Sequence, residues 1–361
     1  MPDIKLYDRA DLEQLLRNID RRQFFKISSV AGLGAVFATC GGGNHGPTSP
    51  TDPDPQPTNN LNAIAKGEYM GLTSNRRLSG PVNFGIYPGQ VTDGNFSVPV
   101  NGSEMTVVFP TTNDYFERKL KVNVPPGTSQ SPKEDLVGTI KGLETVVDGE
   151  PINLEWLDRS FRTFRGAYNK SPYQDATNIW TSTPDIIFDT GSIPLNQISF
   201  IEKIAREYAD IYMPRMTNNK LIGAQVYEQN LGIQNGAAIS PDNPIRGKIV
   251  VTYLGDKASG SNALVWVDEN NYIIAGQVFT SMSTGDSSMR HELSHILGAM
   301  GADVTYLDPK FSSMNSVFRN SLVPTSSDIA HFRAVYSMPP GTRSPFDTSH
   351  LGSVSPQTIS K

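Results

Sequence analysis

One cysteine, Cys40, serves all 361 residues, so no disulfide can form within the chain and chemistry that needs paired thiols is excluded. Long apolar runs are also lacking. The modestly apolar stretch from Ile27 to Thr39 is about a dozen residues, too short to cross a bilayer core of about 30 Å as a helix, and no later run comes closer. Concentrated basic charge is missing outside Arg21, Arg22 and Lys26, and the net charge is −5, which argues against nucleic acid as a partner. No internal repeat is visible, which removes solenoids and propellers. What is left is a globular chain whose chemistry must come from a compact set of side chains.

That set is dense at residues 291 to 301, which read His-Glu-Leu-Ser-His-Ile-Leu-Gly-Ala-Met-Gly. On a helix, His291 and His295 fall on one face a turn apart, where two imidazoles can bind one Zn²⁺ while Glu292 reaches the attacking water as general base. Met289, Leu293, Ile296, Leu297 and Met300 recur at helical spacing on the opposite side, so one face packs inward and the other meets a cleft. Asp286, Ser287 or Ser288 is placed to cap the start, and Gly298 tolerates the left-handed turn that often ends a helix.

A catalytic zinc keeps three protein ligands, so a third is needed. From Ile296 to Lys361 there is no glutamate, which excludes the arrangement that takes a glutamate from a later helix. Gly298, the sequence Phe311-Ser312-Ser313-Met314-Asn315 with small polar residues before Met314, and the helical pattern Ser327 to Tyr336 follow in order. This succession resembles the metzincins, whose motif runs H-E-x-x-H-x-x-G-x-x-H or D before a methionine turn and a closing helix. The resemblance covers about residues 178 to 345. It implies a zinc peptidase with Met314 as a hydrophobic base under the metal. One position departs: the family's third ligand falls on Gly301, which has no side chain to offer. Asp303, two residues later, is the nearest oxygen donor and the expected third ligand, with Asp308, His331, His350 or no third protein ligand as alternatives. The tyrosine that some metzincins add after the methionine is Ser316 here, so no tyrosine ligand is expected.

Location is encoded at the other end. Asp20-Arg21-Arg22-Gln23-Phe24-Phe25-Lys26 followed by the apolar stretch resembles a twin-arginine export signal, which carries folded substrates across the bacterial inner membrane. Phe37-Ala38-Thr39-Cys40 resembles a lipobox, which implies cleavage before Cys40, a lipid anchor on it and residence in the cell envelope. A single cysteine spent on lipid also excludes latency by a propeptide thiol on the metal, so any latency is steric. From Gly41 to about Asn60 the chain is rich in Gly, Pro, Thr, Asp and Asn, a semi-extended tether on the order of 60 Å if straight.

The expected fold class is α+β in four parts: a signal over 1–39, the lipidated cysteine and tether over 40–61, a smaller β-rich domain with a linker over 62–177, and a metzincin-like domain over 178–350. Phe96–Val100 and Leu120–Val124 alternate with period two between turn signals, as in a small β-sandwich. Phe161, Phe164 and Tyr168 suggest a helical face in the linker. In the last part, strands are expected at Pro184–Asp189, Ile249–Tyr253, Ala263–Val267 and Tyr272–Gly276, the last two joined across Glu269–Asn271. A backing helix is expected to pack through Phe200, Ile201, Ile204, Ala205, Tyr208, Ile211 and Tyr212. A mixed sheet with a backing helix, then the histidine helix, is the order the resemblance implies, with an edge strand that binds extended peptide by main-chain pairing. The function expected is zinc-dependent endopeptidase. The rival is a lipid-anchored binding protein that keeps the fold without turnover, for which Gly301 argues and Glu292 does not.

Overall fold

The computed structural model describes residues 61–127, 133–161, 167–171, 176–255, 262–281, 286–298, 314 and 323–342, all within the unit that begins at Asn59. Arg21, Arg22, Cys40 and the tether lie outside the described residues, as do Asp303, Asp308 and His350. No helix among the described residues is long and apolar enough to cross a membrane. The chain is mixed α+β.

Seven strands build the first half: β1 (Ala63–Gly71), β2 (Gly80–Phe84), β3 (Tyr87–Val91), β4 (Asn95–Val100), β5 (Glu104–Phe109), β6 (Arg118–Asn123) and β7 (Lys133–Gly142). They form a three-stranded sheet in the order β4-β1-β7 and a four-stranded sheet in the order β3-β2-β5-β6. The alternation read from the sequence is the one observed. In β4, Phe96, Val98 and Val100 are buried and Asn95, Ser97 and Pro99 are exposed, the signature of a sheet with one covered face. Both sheets contribute to one core in which the Tyr69 ring stacks on Phe109 at 3.9 Å.

A short hairpin, β8 (Val146–Val147) and β9 (Glu150–Pro151), leads to helix α1 (Leu154–Phe161) and to strand β10 (Ala167–Asn169). Tyr168 therefore sits on a strand rather than on the expected helical face, and Phe164 lies outside the described residues. The sequence grouped this stretch with the β-rich half. Its apolar side chains pack elsewhere: Leu143, Val147, Ile152, Trp156 and Leu157 belong to the larger core formed by the second half.

That second half is built on β11 (Asp185–Asp189), β12 (Val226–Gln229), β13 (Lys248–Tyr253), β14 (Asn262–Val267) and β15 (Ile273–Thr280). With β10 they form one sheet in the order β10-β14-β15-β13-β11-β12. Only the β14–β15 pairing is antiparallel. Strand β13 is buried from Ile249 to Tyr253, a continuous apolar run that a strand needs when both its faces are covered. Helix α2 (Leu195–Glu207) backs the sheet and continues through a π-helical turn (Tyr208–Tyr212) into α3 (Met213–Met216). Leu231, Ile233, Ile239 and Ile245 cover the other face around Val250 and Trp266. The expected backing stripe holds at Ile201, Ile204, Ala205, Tyr208 and Tyr212 and fails at its margins, where Phe200 is 41% and Ile211 45% exposed. Each stands one residue, about 100° round the helix, from a buried neighbour.

Helices α4 (Asp286–Ile296) and α5 (Ser326–Ser337) complete the described fold. Thr325 and Asp328 cap α5 reciprocally through side chain and backbone, which satisfies two amides the helix start would otherwise leave open. Helix α1 docks on α5. The Trp156 ring meets Phe332 edge-on at 5.4 Å and lies 4.8 Å from the His331 ring. The Asn153 amide donates to His331 Nε2 at 2.7 Å, and His331 Nδ1 donates to the Ser327 carbonyl at 2.7 Å. Both ring nitrogens are thereby engaged by backbone, which removes His331 from the candidate metal ligands.

Burial holds the His331 pKa below its ordinary value, although the bond to Ser327 and the nearby carboxylates Asp328 and Glu150 pull the other way. A proton on Nε2 would face the Asn153 amide donor to donor. The unfolded chain, with a histidine pKa of about 6.5, therefore binds more protons than the fold between the depressed value and about 6.5. The stabilisation is fully present above about pH 6.5 and is lost as pH falls through the folded-state pKa. Denaturation midpoints should thus drop between about pH 7.5 and about pH 5.5, and drop less in His331→Gln; parallel pH slopes in the two proteins would exclude His331 as the source.

Candidate metal centre

The eleven residues of α4 present three distinct faces, because successive side chains step round by about 100°. Met289, Leu293 and Ile296 face the core and pack on β14 and β15. Contact with the sheet is close enough that a Cβ on Gly276 of β15 would stand 2.5 Å from Ile296 Cγ2, so only glycine fits there.

Arg290 and Ser294, one turn apart, form a second, buried polar face. The Arg290 guanidinium donates to Glu207 Oε2 at 2.6 Å. Ser294 Oγ lies 2.9 Å from the Arg290 carbonyl and 3.0 Å from the Tyr208 hydroxyl, a contact in which either hydroxyl can donate, and the Tyr208 hydroxyl also lies 3.9 Å from Met216 Sδ. The Trp180 indole nitrogen donates to the Ile296 carbonyl at 2.9 Å and ties down the helix end.

The third face carries His291 and His295. Their Nε2 atoms are 3.1 Å apart and the rings stand at 89° with centroids 4.6 Å apart. Both histidines and Glu292 are more than nine-tenths buried. Two nitrogen ligands of one tetrahedral ion, with bonds of about 2.0–2.1 Å, lie about 3.3 Å apart. The observed pair is close to that separation, and neutral imidazole is a donor that zinc accepts, so these two residues fit the metal.

The helix ends at Ile296, one residue past His295 and sooner than the full turn expected. Gly298 follows with φ of 120°, and a Cβ there would stand 2.6 Å from the Asn178 carbonyl. Conformation and space each demand glycine at this motif position. Met314 is wholly buried, lies in a turn and belongs to the same core as Leu293 and Ile296. No group of three His, Cys, Asp or Glu side chains able to hold a metal comes together among the described residues, and Asp303, the expected third ligand, lies outside them.

The polar ties are not evident from the sequence pattern, which marks Tyr208 as an apolar packing position and gives no role to Glu207, Arg290, Ser294 or Trp180. A signal was present: Arg290 and Ser294 share a face of a helix whose other faces are apolar or histidine, and a buried polar pair needs partners.

No protein-family model matches the chain, and no curated protein does. Among solved structures the chain is similar to metalloproteinase-II from Bacteroides fragilis, with 11% identity, 74% of this chain and 84% of that chain covered, and a TM-score of 0.28. At that score the likeness carries no argument, and the functional reading rests on the residues of the site.

Proposed function

We propose that the chain is a zinc-dependent endopeptidase of metzincin type, lipid-anchored in the bacterial cell envelope through Cys40 after twin-arginine export directed by Arg21 and Arg22. The observation that carries the chemical part is the pair of buried imidazole nitrogens 3.1 Å apart beside Glu292. A mixed sheet whose backing helix follows its strand β11, with the histidine helix after its last strand β15, supports the metzincin assignment.

In this reading His291, His295 and Asp303 hold Zn²⁺, and Met314 supports the site from the core. When bound, the ion supplies Lewis acidity toward the attacking water and the scissile carbonyl. Glu292 takes the proton of that water on its carboxylate and delivers it to the leaving amine nitrogen. The core face of α4 and the ties at Arg290, Ser294 and Ile296 hold the histidines in place, so little reorganisation is needed at the moment of reaction. Strand β14 borders this helix. Its outer side is taken by β10 opposite Val265 to Val267, whereas Asn262 to Leu264 have no strand beyond them among the described residues.

Digestion of a broad peptide library by the purified protein tests the proposal. Cleavage is expected, lost with a chelator and restored by zinc. Tight zinc without any cleavage would favour the rival binding-protein reading, for which the missing ligand at Gly301 is the argument; cleavage indifferent to chelator would overturn the metal mechanism.

A further inference from the structure

The apolar face of α4 packs closely on the sheet and sets the helix's distance and coarse rotation, but hydrophobic contact is non-directional, so the last degrees of rotation are left to directional contacts. Rotation matters at the histidines. With side-chain tips about 6 Å from a helix axis, a roll of about 10° displaces them by about 1 Å, enough to spoil a ligand pair. Directional contacts occur on the face about 100° away, at Arg290 and Ser294. Both partners there come from one place in the backing layer: Glu207 is the last residue of α2 and Tyr208 the first of the π-helical turn. Tyr212, the last residue of that turn, donates to Glu207 Oε1 at 3.3 Å and so braces the carboxylate that holds Arg290. An uninterrupted α-helix has no reason for the wider turn, and π-turns of this kind often serve a functional site.

We propose that Glu207 and Tyr208 are positioning residues: presented by the π-helical turn, they set the rotation of α4 through Arg290 and Ser294 and thereby aim the His291 and His295 imidazoles at one point. This role rests on the reading of those histidines as metal ligands. A buried charged pair with an adjoining hydroxyl bridge is suited to it, since such groups favour one geometry over near alternatives even where apolar residues would be as stable.

Tyr208→Phe removes one oxygen and leaves the ring in place. Groups bonded directly to metal ligands change metal affinity 10- to 100-fold, and Tyr208 acts one contact further out. The variant should therefore bind Zn²⁺ more weakly by up to about tenfold, and its Co²⁺-loaded form should show altered d–d absorption. Its metal-free melting temperature should fall by no more than about 4 °C, as expected for one hydrogen bond. Ser294→Ala cuts the same contact from the other side and should behave alike; it decides the matter if Tyr208→Phe fails to fold. Parent-like zinc affinity and cobalt spectrum, with only a lower melting temperature, would make these residues structural and overturn the proposal. A parent that binds neither Zn²⁺ nor Co²⁺ would instead remove the metal centre, and this role with it.

Discussion

Glu292→Gln is expected to lower kcat for peptide hydrolysis by about 100- to 10,000-fold while the protein keeps its metal and its fold, the range a positioned general acid–base residue supplies. Glutamine matches glutamate in shape, so the buried site beside His291 and His295 is not left with a void. What it lacks is a carboxylate able to take a proton and give it back. The two histidines are untouched, so metal content should match the parent. A steady-state assay beside metal analysis separates the outcomes. Parent-like turnover would mean that the water loses its proton to another group; loss of metal together with turnover would make Glu292 part of the site's architecture rather than its base.

Trp156→Ala should destabilise the protein by about 3–5 kcal/mol, the usual cost of deleting a large buried aromatic side chain. The indole is almost wholly enclosed and packs on Phe332 and His331 of α5, within the same core as the histidine helix. Typical domains are stable by only about 5–15 kcal/mol, so the loss is a large share of the total. Chemical denaturation measures it directly, and a change below about 1 kcal/mol would show that α1 is an appendage. The expected cost bears on organisation: a fragment starting at residue 178 would lack Trp156, Leu157 and β10, all of which complete its core or its sheet.

Those two residues also show what can and cannot be read from the chain. The placing of Glu292 beside His291 and His295 on one helix is legible because these neighbours are one and three positions away, and helical spacing alone brings them together. The same locality made α5, the β14–β15 hairpin and the sandwich strands β4 and β6 readable. Trp156 was not legible as part of the larger core. Its partners Phe332 and His331 lie far along the chain, and period-based reading carries no information about which sheet or helix an apolar face will meet. Strand β10 escaped for the same reason, being three residues long and defined by its pairing with Val265 to Val267. The π-helical turn has no compositional mark, yet it decides which side chains of the backing layer face Arg290 and Ser294. The apolar stripe thus puts Tyr208 in the core, where it is buried, but carries no sign of its hydrogen bond to the histidine helix.

The proposed function stands or falls with His291 and His295 as the paired ligands of one catalytic metal ion. Zinc stoichiometry of the purified protein and of His295→Ala tests it most directly. About one zinc per chain is expected in the parent and none retained after dialysis in the variant, since a catalytic site cannot spare one of its few protein ligands. A parent that carries no zinc, or a His295→Ala variant that keeps one tightly bound, would contradict it.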